Sequence, residues 1–235
     1  MNYLIFDIET RIDKTLLREI LFPHESIDDE EAFRRAREQI RRETDGRNDF
    51  LAASFHVPVS IALGYTNQEG VLQEVRVLEA DAMGEEGIVR DFWRRLDTFT
   101  GTLVSFNGRG FDLPVLEWQA LRHRCSAGGY FGERNGLRAR FGRHFDLYDF
   151  LTNHGATRLR GGLNLLARLL GLPGKGEVSG ADVQGLWEQG RFDVVHRYCA
   201  RDVVQTYFLL LHVEHLRGRL SDEELRRLEE RTAVF

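Results

Sequence analysis

Cysteine is scarce: two residues, Cys125 and Cys199, in 235, with no CxxC pair. Two cysteines alone build neither a disulfide framework nor a zinc site. Cys199 lies in an apolar helical stretch and reads as a buried thiol. No apolar run approaches the roughly 20 residues that cross a bilayer. The first residues lack the basic, apolar and small-residue segments of a signal peptide. A cytoplasmic protein without a membrane partner is the expectation. Basic excess is also missing: Lys and Arg number 32 against 37 Asp and Glu, a net charge of −5. That argues against a protein that coats nucleic acid, which would be basic overall. It leaves room for an enzyme whose acidic site recruits divalent cations. Repeats, low-complexity tracts and a convincing linker are absent, so residues 1–235 read as a single domain.

Hydrophobic residues make up 42% and charged residues 29%, normal for a globular enzyme. Residues 3–8, YLIFDI, form an apolar run that predicts a buried strand. Segment 11–50 is charge-rich, and DDEEAFRRAREQIRRETDG within it predicts a solvated helix or excursion ending at Asp45-Gly46. Strands are predicted at 55–66 and 71–78, antiparallel across an NQEG turn, and at 102–106. A helix is predicted at 85–99. After residue 112 the pattern is mainly helical: LPVLEWQALRHR, LYDFL, GLNLLARLLG, ADVQGLWEQG, a long helix over 192–216, and SDEELRRLEERT with Ser221 and Glu224 as a capping pair. This is an α/β layered domain.

Three separated segments carry four acids. In LIFDIET, Asp7 and Glu9 are two apart on a strand and share one face, while Phe6 and Ile8 take the other. Burying two carboxylates side by side is costly unless a cation neutralises them, and hard oxygen-liganded ions such as Mg²⁺ or Mn²⁺ suit such a pair. In VSFNGRGFDLP, Asp112 precedes Leu113-Pro114, which by itself reads as an ordinary helix N-cap. Asn107 and two glycines ahead of it permit a tight loop whose amides, with Asn107, reach toward a nucleotide. In YCARD, Tyr198 and Asp202 are four apart on a helix and share a face. Each segment has a plain structural reading alone. Their order and flanks together point to a metal-dependent nuclease.

At these residues the chain resembles the DEDD superfamily of 3′–5′ exonucleases, in its tyrosine-bearing branch. FDIET is similar to the first exonuclease motif, FNGRGFDLPVL to the second as found in proofreading domains of family B DNA polymerases, and YCARDVVQTYFLL to the third. The stand-alone predicted exonucleases related to that polymerase domain are the nearest type. HFDLYDFL, GLNLLARLLGLPGK and SGADV extend the resemblance over most of the chain. Segments 11–50 and 125–143 match least and read as family-variable excursions. The resemblance implies a ribonuclease H-like fold with a central mixed β-sheet flanked by helices. It implies catalytic roles for Asp7, Glu9, Asp112, Tyr198 and Asp202. Asp7, Glu9 and Asp202 would surround one Mg²⁺ or Mn²⁺, and Asp7 and Asp112 would reach a second. One ion would activate water and the other would stabilise the leaving 3′ oxygen, with Tyr198 positioning the water. Ile8, Thr10, Asn107 and Phe111 would contact substrate. The expected partner is single-stranded DNA or another 3′-terminal nucleic acid. RNA remains open because no motif reads the 2′-OH. An exoribonuclease and a catalytically silent nucleic-acid-binding or polymerase-accessory module are the alternatives.

Residues 122–144 mix arginines with Tyr130, Phe131 and Phe141 and one acid, Glu133, a local basic-aromatic patch read as a strand-guiding loop through Arg134, Arg138 and Arg140. GLPGKGE at 171–177 has the wrong spacing and context for a phosphate loop. His144, Asp146 and Asp149 could suggest a metal site, but Asp146 reads better as a helix cap. No Ser-His-Asp arrangement has spatial support in the sequence.

Overall fold

The computed structural model describes residues 2–132, 136–139, 142–172 and 178–232. Five strands form one mixed sheet: β1 (Tyr3–Ile12), β2 (His56–Thr66), β3 (Leu72–Glu79), β4 (Thr102–Ser105) and β5 (His144–Asp146). Their order is β3-β2-β1-β4-β5. β1, β2 and β3 pair antiparallel, whereas β4 and β5 run parallel to β1 and to each other. This mixed sheet, flanked by helices, is the architecture the sequence implied.

β1 is central and covered on both faces, which explains its unbroken apolar start. Leu4, Phe6 and Ile8 pack with residues of α4 (Glu85–Thr98) and α5 (Asp112–Arg122). Tyr3 and Ile5 face α10 (Phe192–Leu216) through Cys199, Val203, Tyr207 and Leu210. The two-residue pleat period puts Asp7 and Glu9 on the α10 face.

β1 runs four residues past the predicted end. Its second half is polar, yet Thr10, Arg11 and Ile12 pair with Pro58, Val57 and His56 beyond a bulge at Glu9/Thr10. The charge-rich segment is a helical hairpin, α1 (Lys14–Leu21) and α2 (Asp29–Glu43). α1 went unpredicted; Asp13 caps it by accepting the Leu16 N–H at 3.1 Å. α2 is not solvated all round. Ala32 and Ala36 are buried with Ile12, Leu17 and Leu51 in a small core of their own, while the outer face pairs Arg34 and Arg35 with Glu31. The short elements α3 (Ala80–Met83), α6 (Gly128–Phe131) and β5 were also missed, because three or four residues carry no readable period. The remaining helices, α7 (Leu147–Leu151), α8 (Gly162–Leu169), α9 (Val183–Glu188) and α11 (Asp222–Thr232), lie where expected. Ser221 and Glu224 form the predicted reciprocal cap, with Glu224 accepting the Ser221 N–H at 2.8 Å. Among the described residues no helix is long and apolar enough to cross a membrane.

Candidate active site

α10 crosses the sheet face that carries Asp7 and Glu9, and brings Tyr198 and Asp202 to it from one helical turn. Carboxylate oxygens of Asp7, Glu9 and Asp202 all lie within 4.8 Å of one another. Glu9 and Asp202 are buried, and Asp7 is half-buried. Three carboxylates this close, largely out of water, repel strongly unless a cation joins them. Their all-oxygen donor set fits a hard divalent ion such as Mg²⁺ or Mn²⁺.

The neighbouring side chains register the same concentration of charge. Burial, then the negative charges of Asp202, Glu9 and Asp7, push the Tyr198 phenol far above its ordinary value, so it stays neutral. The Cys199 thiol is raised by burial and next by Asp7. Cys199 is fully buried, as expected, with its sulfur 3.5 Å from the Asp7 carbonyl oxygen.

Asp112 is not the helix cap its sequence context suggested. Phe111 occupies the cap position without a capping side chain, and Asp112 is the first residue of α5. Its carboxylate instead accepts the backbone N–H of Ile8 at 3.1 Å. Asp112 stands outside the close trio but is fixed to the strand residue between Asp7 and Glu9. Burial pushes its carboxyl up to about 7; the Asp146 charge adds to the shift, and backbone N–H groups, its own and that of Ile8, oppose it.

The loop between β4 and α5 also differs from expectation. Its left-handed residue is Asn107, at φ +66°, and the glycines serve close approach instead. A Cβ on Gly108 would lie 2.5 Å from Ser105 Oγ, and one on Gly110 would lie 2.5 Å from Asn107 Oδ1. Four of the loop amides are engaged within the protein. Those of Asn107 and Arg109 donate to Asp146, each at 2.9 Å, and those of Gly110 and Phe111 donate to the Asn107 carbonyl. Asp146 caps α7 as predicted, accepting from Tyr148 and Asp149, and thereby ties the loop to β5.

All four acids and Tyr198 open onto one cavity of about 710 Å³, together with Ile8, Thr10, Asn107 and Phe111. Sequence reasoning missed other residues of its wall. Phe106 and Tyr148 meet edge to face at 5.6 Å on one side. On another, His56 accepts or donates a 2.7 Å hydrogen bond with the Thr10 hydroxyl, and burial lowers its ring to about 4, leaving it neutral at physiological pH. Only the aromatic-rich composition of these segments could have signalled them.

Beside the acids, His196 on α10 contacts Ser60 Oγ at 3.0 Å and Asp81 Oδ1 at 2.8 Å. The order mimics a nucleophilic triad, which the sequence gave no reason to expect. Ser60 is fully buried beside Glu9 on the sheet and out of reach of any substrate. The group tethers α10 to β2.

Among the described residues of the basic-aromatic stretch, Tyr130, Phe131 and Arg138 are engaged within the fold. Tyr130 is buried against Trp93, and Arg138 pairs with Glu117 at 3.2 Å and lies over the Phe131 ring. Glu133, Arg134, Arg140 and Phe141 lie outside the described residues, as do residues 173–177 of the GLPGKGE segment.

A mixed sheet with this acidic centre defines a nuclease of the exonuclease, ribonuclease H-like fold. Residues 48–234 match the family described as predicted 3′–5′ exonucleases related to the exonuclease domain of PolB, and the chain belongs to that family. No curated protein matches by sequence. Among solved structures, the family B DNA polymerase of the hyperthermophilic archaeon Pyrobaculum calidifontis superposes with a TM-score of 0.56 at 19% identity, over 88% of this chain and 23% of the polymerase. Exonuclease I of E. coli, in complex with a dT13 oligonucleotide, gives 0.48 at 15% identity over 93% of this chain and 42% of that one. The chain thus spans less than half of either protein.

Proposed function

We propose that this nuclease is a 3′–5′ exonuclease that removes nucleotides from the 3′ end of single-stranded DNA with divalent metal ions. The observation that carries the reading is the convergence of Asp7, Glu9 and Asp202 within 4.8 Å, beside Tyr198 and with Asp112 bound to the intervening strand residue. The family's description, predicted 3′–5′ exonucleases related to the exonuclease domain of PolB, supports the direction and the choice of DNA. The single-strand reading is supported by the cavity, whose 710 Å³ is on the scale of a small-ligand site and suits a frayed end better than a duplex.

Asp7, Glu9 and Asp202 would hold one ion, and Asp7 with Asp112 a second, so that residues 1–235 act as one catalytic domain. Bound cations supply charge neutralisation at the scissile phosphate and a lowered pKa for the attacking water. The neutral Tyr198 hydroxyl holds that water in line by hydrogen bonding, without itself ionising. Water adds to phosphorus and the bond to the 3′ oxygen of the preceding nucleotide breaks, leaving a shortened strand with a 3′-OH and a free 5′-mononucleotide. Phe111 and Ile8 offer apolar contact to the terminal nucleotide, while Asn107 and Thr10 offer polar atoms along the same wall.

The test is time-resolved degradation of 5′-labelled DNA and RNA oligomers in Mg²⁺, Mn²⁺ or EDTA. A ladder receding from the 3′ end of DNA, absent in EDTA and with Asp7→Ala, is expected. Preferential degradation of RNA would transfer the reading to an exoribonuclease, and metal-dependent cleavage of neither polymer would end it.

A further inference from the structure

The family match begins at residue 48, so α1 and α2 lie wholly before it. Yet this hairpin borders the acidic cavity. Phe33 and Arg37 of α2, then Asp49 and Phe50 just beyond it, line the same space as the four acids. The hairpin is anchored there by its own small core, which joins Leu17, Ala32 and Ala36 to Ile12 at the end of β1 and to Leu51. Arg37 is held by Asp49 at 2.5 Å and its guanidinium lies over the Phe33 ring.

Phe50 is the member that matters here. It is 55% exposed at the wall of the cleft, and unlike a lone surface ring it is packed against other rings of that wall. One partner of its ring is fixed: it stacks on His56 at 4.9 Å, with planes 30° apart. A second, Phe111, meets both Phe50 and His56 edge to face at 5.3 and 4.9 Å. His56 is in turn held by the Thr10 hydroxyl and the Leu51 carbonyl oxygen. The cluster is therefore a backed aromatic platform, with its exposed ring toward the cavity. It continues directly from Phe111 at the proposed terminal-nucleotide position.

We propose that Phe50, backed by His56 and carried by the segment that follows the α1–α2 hairpin, is a stacking subsite for an unpaired nucleobase upstream of the terminal nucleotide. An aromatic face accepts any base without reading its edge, so this subsite serves strand retention and not sequence choice. The ring is already immobilised by two neighbours, so little side-chain freedom is lost on stacking. This inference rests on the proposed entry of a single strand into the acidic cleft.

The experiment measures binding, separately from cleavage. Fluorescence anisotropy in Ca²⁺ follows a 5′-labelled dT oligomer whose 3′-terminal linkages are phosphorothioates, against a set carrying one abasic residue at each of the last four positions. The wild-type chain is expected to bind one abasic oligomer about tenfold more weakly than the intact strand, the usual scale for one stacked base. Phe50→Ala should weaken the intact strand by a similar factor and abolish that difference, and Phe50→Trp should restore it. Equal binding of the intact strand by wild type and Phe50→Ala overturns the subsite while leaving strand entry standing. So does an undiminished abasic penalty in Phe50→Ala. No binding of any oligomer by the wild-type chain overturns both readings together.

Discussion

The Asp112 carboxylate accepts the backbone N–H of Ile8, the residue between Asp7 and Glu9, at 3.1 Å. One hydrogen bond across 104 residues of sequence thus holds the second acidic segment in register with the first. The same carboxylate is buried and pushed up to about 7. Asp112→Asn keeps the acceptor oxygen and the packing, so it should fold normally and lose activity. Asp112→Ala leaves a buried N–H without its acceptor and should also lose about 1–3 kcal/mol of stability. Denaturant unfolding of both variants beside their nuclease rates separates the two effects.

Divalent ions should stabilise the fold. The close trio repels itself in their absence, and an ion that binds only the folded chain adds about 2.7 kcal/mol at a hundredfold excess over Kd, or about 5–10 °C for a chain of this size. Asp7→Asn relieves the repulsion and should raise the melting temperature in EDTA while shrinking the Mg²⁺-induced rise. A melting curve that Mg²⁺ leaves unmoved in the wild-type chain would count against these acids as ligands.

Tyr198→Phe removes one hydroxyl and no ligand. Its kcat should fall by no more than about a hundred- to a thousandfold, the scale of losing one positioned hydrogen-bond donor. Asp202→Asn should cost far more. Because burial and three acids keep the phenol neutral, Tyr198→Phe should leave the alkaline limb of the pH–rate profile in place. Disappearance of that limb would assign the tyrosine an ionising role.

Asp146 carries no assigned chemistry but accepts four backbone amides, from Asn107, Arg109, Tyr148 and Asp149. Asp146→Ala should destabilise the chain by about 3 kcal/mol or more, since each hydrogen bond to a charged group is worth about 1.5–3 kcal/mol. Activity should fall with it, because the loop that sets Asp112 loses its anchor. Unchanged stability would mean the four amides find other acceptors.

Acid should weaken the fold through two buried histidines. Burial lowers His56 to about 4, and burial, then the Arg109 charge, lowers His144 to about 3, against 6.5 in an unfolded chain. Between those values the unfolded chain binds more protons, so stability rises with pH and is lost as pH falls below about 6.5. Asp112, raised toward 7, contributes the opposite slope in the same window. The comparison of wild type with His144→Gln isolates the histidine: the variant should lose less stability between pH 6.5 and 4. Parallel curves would exclude His144 from the acid response.

The long periodic elements and the acidic segments were legible because their signals are local. Apolar alternation marks β2 and β3, helical period marks α4 and α10, and a strand-borne DxE or a helix-borne Tyr and Asp needs only two or four residues to be read. β5 and α6 were not legible, since so few residues hold no period, and α1 was hidden by the charge around it. Asp before Leu-Pro satisfies a local capping rule that Asp112 does not follow, because its partner, the Ile8 N–H, lies far away in sequence on β1.

The sequence by itself determined which residue types could gather, because the alternation of β1 and the turn of α10 each fix a shared face. Only the tertiary structure decided that the two faces meet. The packing of α10 across β1 brings Asp202 to Asp7 and Glu9, and the pairing of β1, β4 and β5 sets the loop that delivers Asp112. Those contacts join residues up to 195 positions apart (Asp7 to Asp202), and a distance of that kind is set by packing and pairing of whole elements, which no local pattern encodes.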